Sequence, residues 1–441
     1  MKIYNKENEF AKVKSLSSDF SWFSPILADR LRDSIADSVC VPEGLSELLD
    51  VVSSCAKSRT PITIRGGGTG NYGQAVPLNG GVVIDMKNFN KIKSSDSSAD
   101  HVIAESGARL IDIERHANYR GLEMRWLPST FRSATLGGLV AGGFGGIGSI
   151  NYGAVGSFSS IRNAYIISVE ESPRKILVER SDEIEGMLHA YGTSCIIVSV
   201  EILLATKYSW GEYVAEFDDF DTAYIFGKQI ATDSTIIKRE VAVFGEGFHG
   251  FFPRIRDASE GEEKSVVVLS FCPEDFPRVE KYCEMFNGSF IYRNDKVEIS
   301  AGSVSMLEYC WNHSTLHAKK YDKGNTYLQT VYSNELDTEQ LSYIKSSLGD
   351  EIMQHCEFIK SRDGDIMSVG LPVIKYSSEK RLQEIIDLHK DAGIVINNPH
   401  VYTLNDGKHN GHIPRAISKL RSSMDPYGLL NPGKIRCDLA V

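Results

Sequence analysis

Along the first 206 residues, short apolar runs alternate with turn residues, a pattern that predicts strands interleaved with helices. A short strand ends at Pro42, and Leu45, Leu48, Leu49 and Val52 then recur at helical spacing. Ile62 to Arg65 and Gly81 to Met86 read as strands, as does His101 to Glu105. Ala108 to Tyr119 reads as a helix with Leu110, Ile113 and Ala117 on one face, closed by Gly121. Further strands are expected near Ala164–Glu170 and Ile196–Leu204. From about Lys207 glycine thins out, and aromatic and charged residues take over. Strand-like and helical segments alternate there through about Pro372, as expected of helices over an antiparallel sheet. Ser378 to Gly393 reads as a helix facing inward through Leu382, Ile385, Ile386 and His389, with Gly393 as its cap. The expected organisation is an α+β chain in three stretches: 1–206, 207–397, and a turn-rich C-terminal segment, 398–441.

Two segments break this pattern. Arg65 to Gln74 is RGGGTGNYGQ, and Thr135 to Gly153 is TLGGLVAGGFGGIGSINYG, in which eight of nineteen residues are glycine. Backbone this bare approaches a ligand closely and offers N–H groups in place of side chains. Successive N–H groups in such turns make concavities for anions, phosphate above all. Each segment also holds GxGxxG, at Gly68, Gly70 and Gly73 and at Gly143, Gly145 and Gly148. A dinucleotide fingerprint of that form needs a strand before it and a helix opening inside it. The first has the strand, but Pro77 and the Gly80–Gly81 pair forbid the helix. The second is followed by SINYGAVG, also read as non-helical. Two phosphate cradles for one long ligand is the reading that remains.

Size and charge narrow the setting. A chain of 441 residues has room for two domains and an ample core. A net charge of −10 without a Lys/Arg run argues against nucleic acid as a partner. The N-terminal residues MKIYNKENEF lack a signal-peptide core, and no apolar run has the length of a membrane span. Cys40, Cys55, Cys195, Cys272, Cys283, Cys310, Cys356 and Cys437 form no CxxC pair, which suits reduced, buried thiols. A cytoplasmic protein acting on a small molecule is expected.

With both cradles and the C-terminus in view, the chain resembles the FAD-binding oxidoreductases of the vanillyl-alcohol oxidase/PCMH type, over roughly residues 39–206 and 398–435. VCVPEG with Pro42 is similar to that family's strand-ending proline. RGGGTGNYGQ resembles its pyrophosphate loop, with Arg65, Gly66, Gly67, Gly68, Thr69, Gly70, Asn71 and Gln74 as the cofactor contacts implied. Pro128, Ser129 and the second cradle resemble the segment beside the flavin, implying Thr135, Gly137, Gly138, Gly142, Gly145, Gly146, Ser149, Tyr152 and Gly153. Thr135 and Ser149 would serve there as hydroxyl partners and Tyr152 as a ring. YGTSCIIVSVEI is similar to the family's glycine–isoleucine strand, implying Gly192 and Ile197, and NPGK to its C-terminal return to the flavin, implying Asn431 and Lys434. The resemblance implies a two-part PCMH-type FAD-binding domain plus a cap domain of antiparallel sheet with helices. Thr69 stands where some members link the flavin through histidine, and the second cradle has no cysteine, so noncovalent FAD is expected. Cys195 replaces the usual glycine of the strand, and ESPRK the usual turn near residue 172.

The chemistry the resemblance implies is oxidation of a C–OH or similar C–H donor by hydride transfer to flavin N5, with a side chain taking the proton. A hydroxy acid or a sugar-like alcohol is the expected donor. The alternative is a flavin-binding protein without turnover, whose cap binds a partner. His400 is the expected base and Tyr402 its hydroxyl partner, because PHVY leads into the C-terminal return. Tyr309, Trp311, His313, His317 and Lys319 are a second cluster, read as substrate pocket or core, with the two histidines at i, i+4. His409 and His412 read as a solvated loop, and no metal is expected. Arg125, Arg132 and Arg162 are candidates for a substrate carboxylate.

Overall fold

The structure, a computed structural model, describes residues 1–93, 100–143, 145–259, 264–302, 305–407 and 411–436. The first sheet has four strands in the order Lys2–Asn5, Ser38–Val41, Val82–Asp85, Ile62–Arg65, the last three mutually parallel. The helix Leu45–Ser58 lies between two of them in sequence. Its Leu48, Val52 and Cys55 pack on Ile62 and Ile84, which explains the 3.6-residue spacing of its apolar positions. The C-terminal segment returns to this sheet: the Ile62 N–H donates to Leu429 O at 2.8 Å, and the Asn431 N–H to Ile62 O at 2.7 Å.

The second sheet is antiparallel and built around Ile196–Thr206, with His101–Glu105 and Ile161–Ile167 on either side. The third has eight antiparallel strands, in the order Ser289–Asn294, Gly211–Phe217, Ser265–Phe271, Lys238–Phe244, His355–Lys360, Ile366–Gly370, Thr330–Val331, Val395–Ile396. Its central strands are buried on both faces. Tyr213, Ala215 and Phe217 meet the helices Phe220–Thr232, Phe276–Met285, Asp337–Leu348 and Glu379–Asp391 on one face. Val214, Ala242, Phe244 and Val268 share the opposite core with Trp126, Leu127 and Ile147 of the first half. That two-sided burial accounts for the unbroken apolar runs such as SVVVLSF.

Most expected elements are present. Ser378 caps the helix Glu379–Asp391, its hydroxyl accepting from the Arg381 N–H, and Gly393 closes it at φ +75°. One expectation is corrected. The second cradle is not free of helix: Leu136–Gly142 is helical, and Ser149–Tyr152 forms a single turn. Gly148, at φ +93°, starts that turn where a side chain would strike the Arg125 carbonyl. Neither GxGxxG forms the strand–turn–helix unit of a dinucleotide fingerprint, since the first opens no helix and the second follows one. No described helix is long and apolar enough to cross a membrane.

Candidate cofactor and active site

A cavity of about 260 Å³ runs between the glycine segments on one side and strand ends of the third sheet on the other. The first segment leaves the strand Ile62–Arg65 as an irregular loop, and Gly66, Gly67, Gly68, Thr69, Gly70, Asn71 and Gln74 all line the cavity. A Cβ on Gly67 would strike the Ser133 carbonyl, and Gly68 sits at φ +66°, where L side chains are strained. Among the described residues, the N–H groups of Gly67 to Asn71 find no backbone acceptor. A row of unclaimed donors on close-approach backbone fits an anionic diphosphate. The loop is braced from behind. The Phe20 N–H donates to Gly70 O at 2.7 Å, Arg65 Nη1 to Ser18 O at 2.5 Å, and Lys434 Nζ to Gly73 O at 2.5 Å. Burial pushes the Lys434 ammonium down to about 7, with Asp19 opposing the shift.

Pro128, Ser129, Thr135, Gly137, Gly138, Gly142 and Gly145 line the adjoining wall. Thr135 caps the helix Leu136–Gly142, and a Cβ on Gly137 would collide with Ser106. Gln74 Nε2 donates to Gly142 O at 3.2 Å and joins the two cradles. Gly192 and Ile197 also line the cavity, beside His189 and Tyr191, whose φ values of +50° and +54° are rare for side chains of that size. Cys195 is there too, its thiol pushed up to about 12 by burial, and so inert.

Other expected residues lie behind the walls. Pro42 ends its strand away from the cavity, its carbonyl accepting from Asn88 at 3.4 Å. Gly146 and Ser149 bond each other, the Gly146 N–H donating to Ser149 Oγ at 3.0 Å. Gly153 receives the Trp126 indole N–H at 3.1 Å, and Tyr152 lies under the Arg125 guanidinium. The one-turn helix turns this group away from the cavity, a geometry invisible in a glycine-rich string. Asn431 braces the loop, its amide donating to Gln74 O and Tyr191 O, both at 2.7 Å.

The expected base, His400, lies away from the cavity. His400 is 2% exposed and does not line the cavity. Its Nδ1 meets Ser24 Oγ and its Nε2 meets Tyr327 O, each at 2.8 Å, and burial lowers it to about 4. A carbonyl only accepts, so Nε2 carries the proton and no nitrogen is left for a substrate. Tyr402 also lies outside, packed with Leu27, Leu31 and Val76. The three arginines are engaged elsewhere: Arg125 with Leu204 O and Ser160, Arg132 with Glu308, and Arg162 with Asp100. His317 contacts the rings of Tyr309 and Phe252, and Lys319 donates to Asn325 O at 2.6 Å. His412 is exposed, and His409 lies outside the described residues. No group of His, Cys, Asp and Glu among the described residues is arranged to hold a metal.

What faces the cradles instead comes from three distant strand ends and one turn: Gln329 to Val331, Val369 to Leu371, Asn397, and Trp311 to His313. Only the last was flagged by the sequence. Phe20 and Phe23, from the short 3-10 helix Phe20–Phe23, complete the lining. Tyr72 spans the two walls, its hydroxyl donating to Gln329 at 2.6 Å. His313 is half-buried, with Nδ1 at 3.1 Å from the Glu308 carbonyl. Nδ1 is therefore the donor and Nε2 the bare, basic nitrogen, and burial holds the ring neutral.

The arrangement, two glycine-rich loops and unclaimed backbone N–H groups lining one cavity, is suited to a nucleotide cofactor. Residues 36–160 match the family model described as an FAD binding domain, and in that part the chain is similar to FAD-linked oxidoreductases, which supports FAD as its cofactor. It is 28% identical over 137 residues to the glycolate oxidase subunit GlcD of Bacillus subtilis, covering 31% of this chain and 28% of that protein. Over 107 residues it is 36% identical to the D-lactate dehydrogenase of Anaerostipes hadrus, or 24% of this chain and 22% of that one. An uncharacterized FAD-linked oxidoreductase of Mycobacterium tuberculosis is 24% identical over 213 residues, 47% of this chain and 45% of the relative. The chain thus spans less than half the length of each of these relatives. An alkyldihydroxyacetonephosphate synthase structure shares the fold, with a TM-score of 0.70 and 16% identity over 98% of this chain and 82% of that one.

Proposed function

We propose that the chain is an FAD-dependent oxidoreductase that oxidises a C–OH donor, with residues 1–206 and 398–441 forming a two-part FAD domain and 207–397 a cap. The single observation carrying the choice of chemistry is a cavity that joins the glycine loop to a largely apolar chamber lined by His313, whose Nε2 is left without a hydrogen-bond partner by its Nδ1 contact. FAD, when bound, supplies the hydride acceptor. The loop Gly67 to Asn71 receives its diphosphate. His313 Nε2 takes the donor's hydroxyl proton, and the rings of Phe20, Phe23 and Trp311 exclude water. Buried thiols at the seven described cysteines, none of them in a disulfide, suit a cytoplasmic setting.

Of the two donor classes, the cavity favours the uncharged alcohol. None of the described lining residues is Lys or Arg, and the polar groups on the facing wall are Asn312, Gln329, Thr330 and Asn397, all neutral. A carboxylate buried among them would lie unpaired, at a cost of several kcal/mol. Anaerobic flavin bleaching by 1-phenylethane-1,2-diol, compared with its carboxylate analogue mandelate, tests this. The diol should reduce the flavin at least about a hundredfold faster, given that desolvation cost. In His313→Gln the diol reaction should slow by about a hundredfold, the usual yield of a placed base. Equal rates for the two donors would refute the neutral-donor reading. Bleaching by no alcohol at all would favour the binding protein without turnover.

The residues of the first cradle support noncovalent FAD. No histidine stands in the first cradle, and Cys195 is a protonated, unreactive thiol. Acid precipitation of the yellow protein should leave all the flavin in the supernatant. Colour retained in the pellet would mean a covalent link.

A further inference from the structure

Most strand edges in this protein are covered or blunted. Ile62–Arg65 is closed by the C-terminal return at Leu430, and Ile92–Lys93 and Val395–Ile396 are two residues long. The pairing of Ser289–Asn294 carries an irregularity at Val214/Ala215. The strand Lys175–Val178 is different. It ends the second sheet, paired on one side only, with Ile161–Ile167. It holds no proline, and its register has no bulge. Its outer edge therefore presents the row of backbone N–H and C=O groups that another strand accepts.

The residues Arg174 to Arg180, RKILVER, make this edge complementary to itself. Ile176 and Val178 face the core, whereas Lys175, Leu177 and Glu179 are exposed. Two copies related by a two-fold axis pair antiparallel, each contact occurring twice. The outward backbone groups recur at every second residue, so the copies meet only where paired residue numbers sum to an even value. Among those registers, pairing about Leu177 sets Lys175 opposite Glu179 of the second copy, Leu177 opposite itself, and Ile176 opposite Val178 on the core side. Moving the axis to Ile176 or Val178 sets a charged residue against Leu177 instead. Tyr165, 37% exposed, lies opposite Leu177 within the sheet, so an apolar row continues across the axis. Arg174 and Arg180, which the same register brings together, are each paired already, with Glu170 at 2.6 Å and Asp182 at 3.2 Å. Glu179 has no ion-pair partner among the described residues. The edge Lys2–Asn5 lacks this pattern, with Lys2 and Lys6 at its ends and no acid between them.

We propose that the edge strand Lys175–Val178 is a self-association surface, at which a second copy of this chain pairs antiparallel about Leu177 and makes one sheet continuous through the dimer. Two four-residue strands bury less than a standard interface, so the association is reversible and in the micromolar range. None of Tyr165, Lys175, Leu177 and Glu179 lines the cavity, so the surface is separate from the cofactor site. Self-association does not depend on the oxidoreductase reading.

Sedimentation velocity of the full chain across the micromolar range should show a monomer–dimer equilibrium. Lys175→Glu turns both Lys–Glu pairs into Glu–Glu pairs and should weaken dimerisation by about tenfold or more. Lys175→Glu combined with Glu179→Lys restores opposite charges and should return the affinity to within about threefold of wild type. Oxidation reads the position of the axis. Leu177→Cys faces its own copy with Cα atoms about 4.5–5.5 Å apart, within disulfide reach, and should cross-link. Lys175→Cys would lie about 14 Å from its copy along the strands and should not. Wild-type protein under the same oxidant is the reference, since its seven described cysteines are all buried. Every variant should keep the wild-type melting temperature, because the side chains changed are exposed. A wild-type protein that stays monomeric throughout overturns the proposal. So does a dimer that Lys175→Glu leaves unchanged, which must assemble elsewhere, or a double variant as weak as the single one. Cross-linking of Lys175→Cys in preference to Leu177→Cys overturns the register.

Discussion

Gly68→Val, purified alongside the wild-type protein, is expected to emerge colourless. Gly68 adopts φ +66°, and its Cβ would meet the Arg65 guanidinium that braces the loop on Ser18. Strain of roughly 1–3 kcal/mol would be relieved by turning the peptide, and that turn reorients the row of N–H groups that receives the diphosphate. On the proposed binding mode the diphosphate is held by backbone, so no side chain nearby can substitute for it. The ratio of flavin absorbance to protein absorbance reports the loss directly. Gly364→Val is the control. Gly364 is also left-handed, at φ +100°, but a Cβ there meets nothing within 4 Å, and it lies in the turn between His355–Lys360 and Ile366–Gly370, outside the cavity. That variant should lose similar stability and remain yellow. Full flavin occupancy in Gly68→Val would show that the first cradle does not hold the cofactor.

His400→Ala should lose stability before it loses chemistry. The imidazole joins Ser24, between the first two strands of the first sheet in sequence, to Tyr327, beside the third, and its removal strands a buried hydroxyl and a buried carbonyl. Each unsatisfied group costs about 1–3 kcal/mol, so roughly 2–5 kcal/mol is expected at pH 7. The deficit should depend on pH. His400 ionises near 6.5 when unfolded and near 4 when folded, so between those values the unfolded chain binds a proton that the native one refuses. That contribution is fully present above pH 6.5 and is lost as pH falls toward 4, up to about 3 kcal/mol in total. The alanine variant has no such proton to take up. Urea unfolding at pH 7 and pH 4.5 should therefore show the gap between the two proteins narrowing in acid. A gap of constant size would mean that His400 is not held neutral, and its part in the joint would have to be reconsidered.

The two cradles were legible because the constraint on them is local. A loop that must take positive φ, as at Gly68, or pass a carbonyl closely, as at Gly67, accepts only glycine, and glycine density survives in the one-dimensional string. The helices Leu45–Ser58 and Glu379–Asp391 were legible for the same kind of reason, since one buried face imposes its period on the sequence. The facing wall carries no such mark. Gln329, Gly370 and Asn397 meet because strand pairing sets Thr330 opposite both Gly370 and Ile396, and a polar residue at a strand end looks the same whether it faces solvent or a ligand. The surroundings of His400 were not legible, because a histidine in a polar turn gives no sign of which groups will reach it. Its two partners lie 376 and 73 residues away. The sequence alone determined where close-approach glycine backbone lines the cavity, because that requirement is written in which residues can adopt the conformation. Only the tertiary structure decided which side chains look into the cavity, because strand order and a single helical turn fix their direction, and neither depends on residues near them in the chain.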